Sequence, residues 1–283
     1  MLWGKQVEQI VDSALAEDSV WADVTTEALI PPTQAGKAYL RGKSEGVLAG
    51  IGVATMVFHR VDSALRVKEL VADGSRVHPG DRLAAIEGKV AGILRAERAA
   101  LNFLQRLSGI ATETAKYVEA ISGTKALITD TRKTAPGLRI LEKYAVRVGG
   151  GYNHRQSLGD GVLIKDNHLV ALRSRGVGLG EVIKKARQHA PHTLKIEVEV
   201  ESVEQAQEAL SAGADIIMLD NMDLEDMRRV VELAQGRAVI EASGRITLDS
   251  VRAVADTGVD LISVGALTHS AKALDISLEL ETR

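Results

Sequence analysis

The sequence predicts an α/β protein in which a mixed N-terminal part precedes a regular series of strands and helices. The first hundred or so residues combine short strands, broken by glycine, with single helices. From about residue 124, apolar strand segments alternate with amphipathic helices. These alternating units recur about every 22 residues, which is typical of a parallel sheet or of a barrel.

The N-terminal part begins with an amphipathic helix at residues 5–17. Short strands follow between residues 37 and 89, and the apolar segment VATMVFHRV (53–61) predicts a helix packed on them. Asp73-Gly74 and Pro79-Gly80-Asp81 mark turns. These features predict an α+β unit of about 110 residues.

Two helices are expected after this unit. The first starts at about Ala96 and ends near Ser108-Gly109, and the second continues to Ile121. Beyond them, six apolar segments are strand candidates, because strands buried on both faces are unbroken apolar runs. The candidates are residues 126–130, 161–166, 194–200, 215–220, 238–243 and 261–265.

Composition excludes several classes of protein. With 45% hydrophobic and 26% charged residues, the chain can bury a core and is not a disordered or fibrous protein. A net charge of −3 gives no overall basic surface for nucleic acid. The sequence has no cysteine, which excludes disulfides, thiolate metal sites and a cysteine nucleophile. We find no membrane-length apolar run and no signal-peptide layout, so we expect a cytoplasmic protein that binds neither membranes nor nucleic acid.

Polar or small residues recur at the ends of the predicted strands. Glu199, Asp220, Ser243 and Gly265 each lie at such an end, 21, 23 and 22 residues apart. In a barrel this spacing places all four on the rim where ligands bind. A single Asp or Ser there could equally cap the following helix. Glu197 shares a strand face with Glu199, and we favour the barrel interior for both, because buried carboxylates need a partner.

Positive charge is concentrated between residues 131 and 168. This segment holds seven Lys and Arg against three acids, a local net charge of +4, together with His154 and His168. Thr131-Arg132-Lys133 and Lys165 follow strand ends, so we expect Arg132, Lys133 and Lys165 to bind anions. Solvent exposure is the better expectation for three further cations along a predicted helix, namely Arg139, Lys143 and Arg147.

Two loops suit phosphate. Ser243-Gly244-Arg245 and Val264-Gly265-Ala266 each connect a strand to a helix, where small residues let an anion approach backbone N–H groups. Phosphate sites of barrels often use the loops after the last two strands. Cations, two carboxylates and two such loops together suit a ligand with several anionic groups and a bound Mg²⁺.

Several stretches of the chain resemble the quinolinate phosphoribosyltransferase family (nicotinate-nucleotide pyrophosphorylase, carboxylating). The match runs essentially from end to end. Its motifs are DVTT (23–26), ERAALNFLQRLSGIAT (97–112), DTRKTAPGLR (130–139), EKYAVRVGGGYNHR (142–155), LIKDNHL (163–169), EVEV (197–200), LDNM (219–222), EASG (241–244) and SVGALTHS (263–270).

The resemblance implies an α/β fold with an N-terminal α+β domain followed by an incomplete (β/α) barrel domain. We place these domains at residues 1–115 and 116–270, and expect a C-terminal tail at 271–283 to pack back on the first. The implied reaction moves a phosphoribosyl group from 5-phosphoribosyl-1-diphosphate to quinolinate and releases CO₂ and diphosphate, giving nicotinate mononucleotide. A homodimer with shared active sites is implied as well, with dimer against hexamer left open.

The resemblance also assigns residues. Arg98 is similar to an arginine supplied across the dimer interface. The basic pocket for the quinolinate carboxylates and the diphosphate matches Thr131, Arg132, Lys133, His154, Arg155 and Lys165. Glu199 and Asp220 match the acids that hold the ribose hydroxyls and Mg²⁺, and with Lys133 and Lys165 they form the expected catalytic set. The 5′-phosphate loops match Ser243, Gly244, Arg245, Val264, Gly265 and Ala266, with His269 nearby.

Two other functions compete with this one. A related phosphoribosyltransferase-like protein would use a different acceptor, as a molybdenum-operon paralogue or a nicotinate enzyme does. A non-catalytic barrel that binds phosphosugars is disfavoured, because a pure anion binder gains nothing from Glu199 and Asp220 at its mouth.

Overall fold

The structure, a computed structural model, describes residues 4–173 and 176–281. The helices in chain order are α1 (Lys5–Glu17), α2 (Val24–Leu29), α3 (Ile51–Val61), α4 (Val90–Ala120), α5 (Arg139–Val148), α6 (Asp166–Arg173), α7 (Leu179–His189), α8 (Val203–Ser211), α9 (Leu224–Ala234), α10 (Leu248–Ala255) and α11 (Ala266–His269). The strands are β1 (Ala35–Gly42), β2 (Gly46–Val47), β3 (Arg66–Glu69), β4 (Arg76–Val77), β5 (Arg82–Lys89), β6 (Leu127–Thr129), β7 (Val162–Ile164), β8 (Ile196–Val200), β9 (Ile216–Asp220), β10 (Val239–Ser243), β11 (Leu261–Ser263) and β12 (Ile276–Glu281).

The chain forms two compact units. The first comprises Met1–Ala115, Thr134–Gly150 and Leu267–Arg283, and the second comprises Lys116–Lys133 and Gly151–Ala266. The predicted N-terminal domain and tail include residues 1–3 and 282–283, which lie outside the described residues. None of the described helices has the length and apolar composition needed to cross a membrane.

The first unit contains an antiparallel sheet in the order β12-β1-β5-β3. Strand β12, from the C-terminal end of the chain, pairs with β1 from Lys37 to Gly42. The carboxylate of Asp73 accepts hydrogen bonds from the N–H groups of Gly50 and Ile51 at 2.9 and 3.0 Å and so caps α3. The Asp73-Gly74 turn therefore also fixes the start of a helix.

The second unit is built on parallel strands in the order β6-β11-β10-β9-β8-β7. All six strand candidates are confirmed, and β6 and β7 stand at the two ends of the order. The α/β class, with an N-terminal α+β domain and an incomplete barrel, is confirmed. The ladder sets Glu199 beside Met218 and Asp220 beside Ser243, so the carboxyl ends of β8, β9 and β10 share one edge.

A repeated aspartate fixes the opposite edge of this sheet. The similar phrases AGADIIMLD and TGVDLISVG each place an aspartate just before a strand. Asp215 accepts a hydrogen bond from the N–H of Ile196 at 2.7 Å, and Asp260 accepts one from Ile240 at 2.9 Å. Each carboxylate thus ties its own strand to the neighbouring one, which fixes the register that aligns the carboxyl ends.

The expected helix end at Ser108-Gly109 is wrong, because α4 is one continuous helix. Glycine at position 109 serves close packing. A Cβ atom there would lie 2.0 Å from the carbonyl oxygen of Lys272 and 3.1 Å from the Cα of Ala273. The backbone of the C-terminal segment can approach α4 only at a residue without a side chain.

The expectation of solvent exposure along α5 is wrong for Lys143, which is 2% exposed. Arg147 is exposed and Arg139 is half-buried. Burial extends round much of the helix, because Glu142 is fully buried as well and its carboxylate accepts hydrogen bonds from Arg106. The charge of a residue on this helix therefore does not show that its side chain is exposed to solvent.

We predict that Gly109→Ala destabilises the protein, although alanine favours a helix over glycine by about 1 kcal/mol. The added methyl group would overlap the carbonyl oxygen of Lys272. A loss of about 2 kcal/mol or more in the free energy of unfolding is expected from urea denaturation. Gly92→Ala in the same helix is the control, because the nearest atoms to its Cβ would be those of the Asp62 side chain, at 3.1 Å or more, and no backbone atom is among the nearest three. Equal or higher stability of Gly109→Ala would contradict this packing account.

Candidate active site

A cavity of about 280 Å³ opens within the second unit, at the carboxyl ends of the parallel strands. Seven of the predicted binding residues line it, together with four residues of the strand interiors and ends. The predicted ones are Thr131, Arg132, Lys133, His154, Arg155, Lys165 and Ser243, and the others are Leu163, Met218, Glu241 and Ser263. Segments far apart in sequence therefore meet in one place, which we call the cup.

Four cations line the cup, and two of them, Arg132 and Arg155, lie close enough for the charge of one to influence the other. Burial lowers the pKa of Arg155, and the positive charge of Arg132 lowers it further. The Nε of Arg132 is buried and has no hydrogen-bond partner within the described residues. Lys133 and Lys165 are exposed at the mouth. Such crowding of like charge is unfavourable unless an anion offsets it, so the cup is suited to anionic ligands.

Hydrogen bonds to a buried aspartate and to a backbone carbonyl fix the loop that carries His154 and Arg155. Asp130 is fully buried just after β6, and its carboxylate accepts hydrogen bonds from Asn153 Nδ2 at 2.6 Å and from the His154 N–H at 2.9 Å. The Arg155 guanidinium donates to the carbonyl of Gly161 at 3.2 Å. These bonds position both side chains before any ligand arrives.

The two predicted acids lie on neighbouring strands. Glu199 accepts a hydrogen bond from Lys165 Nζ at 2.9 Å and is 13% exposed at its side chain. Asp220 ends β9 and is half-buried, with its Oδ2 accepting from Asn221 Nδ2 at 2.8 Å. Neither acid is among the residues that line the cup. Each adjoins one that does, because Glu199 bonds to Lys165 and Asp220 lies beside Ser243 in the sheet, so both lie at its margin.

The wall of the cup also contains a buried carboxylate that the residues at the strand ends do not predict. Glu241 on β10 is fully buried, and neither of its carboxylate oxygens has a hydrogen-bond partner within the described residues. His154 Nε2 lies 3.6 Å from Glu241 and 3.3 Å from Glu197. Glu197 therefore faces the barrel interior, as expected. An acid in the buried strand AVIEAS was the signal that could have revealed Glu241.

This group of three is also the arrangement of side chains that a metal ion could use, since the ligand atoms lie within 4.8 Å of one another. The hydrogen bonding of His154 argues against that use. The N–H of Arg155 points at His154 Nδ1 at 2.8 Å, so in the neutral ring Nδ1 accepts and the proton sits on Nε2, and in the charged ring Nε2 is protonated as well. A protonated Nε2 donates to the carboxylates and cannot bind a metal.

The two predicted phosphate loops differ in how their backbone is used. In the first, the Arg245 N–H donates to Asn221 Oδ1 at 3.2 Å, while the Arg245 side chain is exposed. In the second, the Val264 N–H donates to the carbonyl of Thr129 at 3.0 Å, and Ala266 begins the short helix α11. Both loops lie at carboxyl ends of strands in the second unit.

Two predicted residues belong to the first unit. Arg98 is exposed on α4. His269 ends α11, and its Nδ1 lies 2.6 Å from Ser270 Oγ. Neither of them is among the residues that line the cup.

Comparison with known proteins shows the family to which the chain belongs. The families described as quinolinate phosphoribosyl transferase, N-terminal domain and C-terminal domain match residues 23–108 and 110–279. The chain belongs to the quinolinate phosphoribosyl transferase family.

Individual relatives agree with this membership. The chain is 44% identical to the probable nicotinate-nucleotide pyrophosphorylase [carboxylating] of Bacillus subtilis, over 97% of this chain and 93% of that one. It is 43% identical to the nicotinate-nucleotide pyrophosphorylase [carboxylating] of Mycobacterium leprae, over 94% of each chain. The crystal structure of NadC from Streptococcus pyogenes is similar with a TM-score of 0.94 and 44% identity, covering 99% and 98% of the two chains.

A pH-dependent contribution of His154 to stability is expected. Burial disfavours its charged form, but the hydrogen bond to Glu197 and the negative charges of Glu197 and Glu241 outweigh burial and raise the pKa of His154 to about 10. The Arg155 N–H at Nδ1 opposes part of this rise. Because the folded pKa lies above the unfolded value of about 6.5, the stabilisation is complete below pH 6.5 and is lost as the pH rises toward 10.

His154→Gln removes this titration. Between pH 6.5 and pH 9.5, the free energy of unfolding should therefore fall further in the natural protein than in the variant, by about 1 kcal/mol or more. Urea denaturation at the two pH values measures the difference. Parallel pH dependence of the two proteins would show that His154 is not stabilised by its buried carboxylates.

Proposed function

We propose that the chain transfers the phosphoribosyl group of 5-phosphoribosyl-1-diphosphate to quinolinate, with release of diphosphate and CO₂ to give nicotinate mononucleotide. The observation that carries this proposal is the crowding of Arg132, Lys133, Arg155 and Lys165 in one cup. Quinolinate is a dianion and the donor carries still more negative charge. Fixed cations offset the repulsion that would otherwise keep the two substrates apart. Family membership and the names of the relatives support the same reaction.

The roles of the residues follow from where they lie. Arg132, His154 and Arg155, inside the cup, bind the acceptor carboxylates, with Thr131 at the wall. Lys133 and Lys165, exposed at the mouth, stabilise the diphosphate on which charge accumulates as the C1–O bond breaks. Glu199 and Asp220, at the margin, hold the ribose hydroxyls and offset positive charge developing on the ribose. The Ser243-Gly244-Arg245 and Val264-Gly265-Ala266 loops receive the 5′-phosphate.

The donor set fits Mg²⁺. Two carboxylates on adjacent strands, each partly open to solvent, supply hard oxygen ligands and leave room for the waters that Mg²⁺ retains. Glu199 and Asp220 would hold the ion, in part through water. When bound to the diphosphate, Mg²⁺ neutralises charge on the leaving group.

The reaction needs no nucleophile from the protein. The ring nitrogen of quinolinate attacks C1 of the ribose as the diphosphate leaves with the bonding electrons, through a state with oxocarbenium character. Holding nitrogen and C1 in line is the main task of the cup. The positive charge of the resulting quaternary nitrogen then stabilises the electron pair that stays on C2 when CO₂ departs, and that pair takes up a proton in place of the carboxyl group.

We further propose a homodimer whose active sites are shared, with Arg98 supplied to the partner's cup. Its exposed position on α4 leaves the guanidinium accessible to a second subunit. His269 is proposed to lie near the phosphate loops. The substrates are small molecules, and we propose a cytoplasmic location for the enzyme, without membrane or nucleic-acid partners.

Acceptor preference tests this proposal. At fixed Mg²⁺ and donor, quinolinate should be converted to nicotinate mononucleotide and nicotinate should not. Arg155→Ala and Arg132→Ala should each lower kcat/KM for quinolinate by about 100-fold or more, because each leaves a carboxylate of the bound quinolinate without its cation. Arg229→Ala is the control, since that arginine pairs with Glu225 on the surface of α9. Turnover of nicotinate, or full activity of both cup variants, would contradict the proposal.

The order of the two chemical steps is a separate prediction. Without the donor, the ring nitrogen stays uncharged and cannot stabilise an electron pair left on C2. Quinolinate labelled in its 2-carboxyl group should therefore release labelled CO₂ only when 5-phosphoribosyl-1-diphosphate is present, in amounts equal to the diphosphate formed. Release of label from the enzyme and quinolinate alone would reverse the order.

A further inference from the structure

Asn221 joins the acid at the end of β9 to the loop after β10. Its backbone N–H donates to the carbonyl of Ser243 at 3.1 Å. Its side-chain Nδ2 donates to Asp220 Oδ2 at 2.8 Å, and its Oδ1 accepts from the N–H of Arg245 at 3.2 Å. One exposed residue therefore makes a bond to Asp220 and two to the loop.

The backbone is shaped for these contacts. Asn221 has a φ of +54°, in the left-handed region that residues other than glycine seldom occupy. Gly244 has a φ of +117°, and a Cβ atom there would lie 2.5 Å from Asn221 Oδ1. The loop can close on the asparagine side chain only because position 244 is glycine. Unfavourable backbone conformations of this kind are often kept where a site requires them.

Exposed hydrogen bonds contribute little to folding, so stability alone is a poor reason for this arrangement. Its geometric effect is larger. With Oδ2 of Asp220 occupied by the amide, the carboxylate is held in one orientation and its other oxygen is left for a ligand. With the Arg245 N–H bound to the same amide, the loop is held at a fixed distance from that carboxylate.

We propose that Asn221 is a positioning residue for the donor. It sets the separation between the acid that receives the ribose hydroxyls and the loop that receives the 5′-phosphate. This inference rests on the proposed function, because it takes Asp220 and the Ser243-Gly244-Arg245 loop as the two ends of a ribosyl phosphate site. Asn221 itself does not touch the reacting atoms and acts through its two neighbours.

Asn221→Gly tests the proposal without a folding penalty. Glycine accepts the left-handed backbone and keeps the bond from the backbone N–H to Ser243, while both side-chain bonds are lost. Gln235→Gly is the matched control, because Gln235 has a φ of +48° in the same unit but ends α9, away from the cup. Both variants should melt at or above the temperature of the natural protein.

Calorimetric binding provides a readout that does not depend on turnover. Inorganic phosphate needs only the loop, whereas ribose 5-phosphate needs the loop and the acid at the right separation. The ratio of the two affinities should therefore fall by about fivefold or more in Asn221→Gly and stay constant in Gln235→Gly. In steady-state assays, the KM for the donor should rise by about tenfold while the KM for quinolinate changes less than about twofold.

Asn221→Asp tests the two side-chain bonds, to Asp220 and to the Arg245 N–H, separately. Aspartate can still accept from the Arg245 N–H, but it cannot donate to Asp220 and places a second negative charge beside it. Its affinity for inorganic phosphate should stay close to that of the natural protein, while its affinity for ribose 5-phosphate falls.

An unchanged affinity ratio in Asn221→Gly would overturn the positioning role, whatever the activity. If the natural protein does not bind ribose 5-phosphate at all, this inference fails, whereas the proposed function stands or falls on the conversion of quinolinate. If it binds ribose 5-phosphate and the ratio falls as expected, but quinolinate is not converted, the proposed acceptor alone is wrong.

Discussion

Electrostatic repulsion among the cations of the cup is the constraint that the rest of the structure must satisfy. Arg132 and Arg155 lie close enough that the charge of one lowers the pKa of the other, and the Arg132 Nε is buried without a hydrogen-bond partner among the described residues. An unliganded protein gains nothing from such crowding. The arrangement becomes favourable when an anion enters, because the anion offsets the repulsion between the cations. The same cations then stabilise the negative charge that accumulates on the departing diphosphate.

The scaffold keeps these charges together by fixing the segments that carry them. Buried Asp130 anchors the loop of His154 and Arg155, while Glu197 and Glu241 place negative charge beneath it. At the opposite edge of the sheet, Asp215 and Asp260 hold the strand register. The cations of the cup are thus supported by buried carboxylates in and around its wall. This distribution of charge explains why an acidic chain can carry a strongly basic site.

The sequence was sufficient to predict the elements that depend on local pattern. All six strands of the second unit and the polar residues at their ends follow from apolar runs and their spacing. It was insufficient where the reason for a residue lies elsewhere in the chain. Gly109 was interpreted as a helix end because its contact with Lys272 is more than 160 residues away. Lys143 was expected in solvent because burial of a helix on several sides leaves no periodic signal.

The candidate site likewise has features that the local sequence pattern predicts and features that depend on distant parts of the chain. Clustering of Arg132, Lys133, Arg155 and Lys165 could be inferred from charge and strand ends. The buried role of Glu241 and the bridging role of Asn221 could not, because both depend on which strands are neighbours. An acid in a buried strand was a visible signal that was not used, whereas the left-handed backbone of Asn221 leaves no mark in the sequence.

A crystal structure with benzene-1,2-dicarboxylate, which has both carboxylates of the acceptor but no ring nitrogen to react, tests the central claim most directly. We predict that the dianion lies in the cup, with its carboxylates within hydrogen-bond distance of Arg132 and Arg155 and the buried Arg132 Nε donating to one of them. Electron density for the ligand in another basic groove, such as that lined by Lys37, Arg66 and Arg82 in the first unit, with the cup left to solvent, would contradict it.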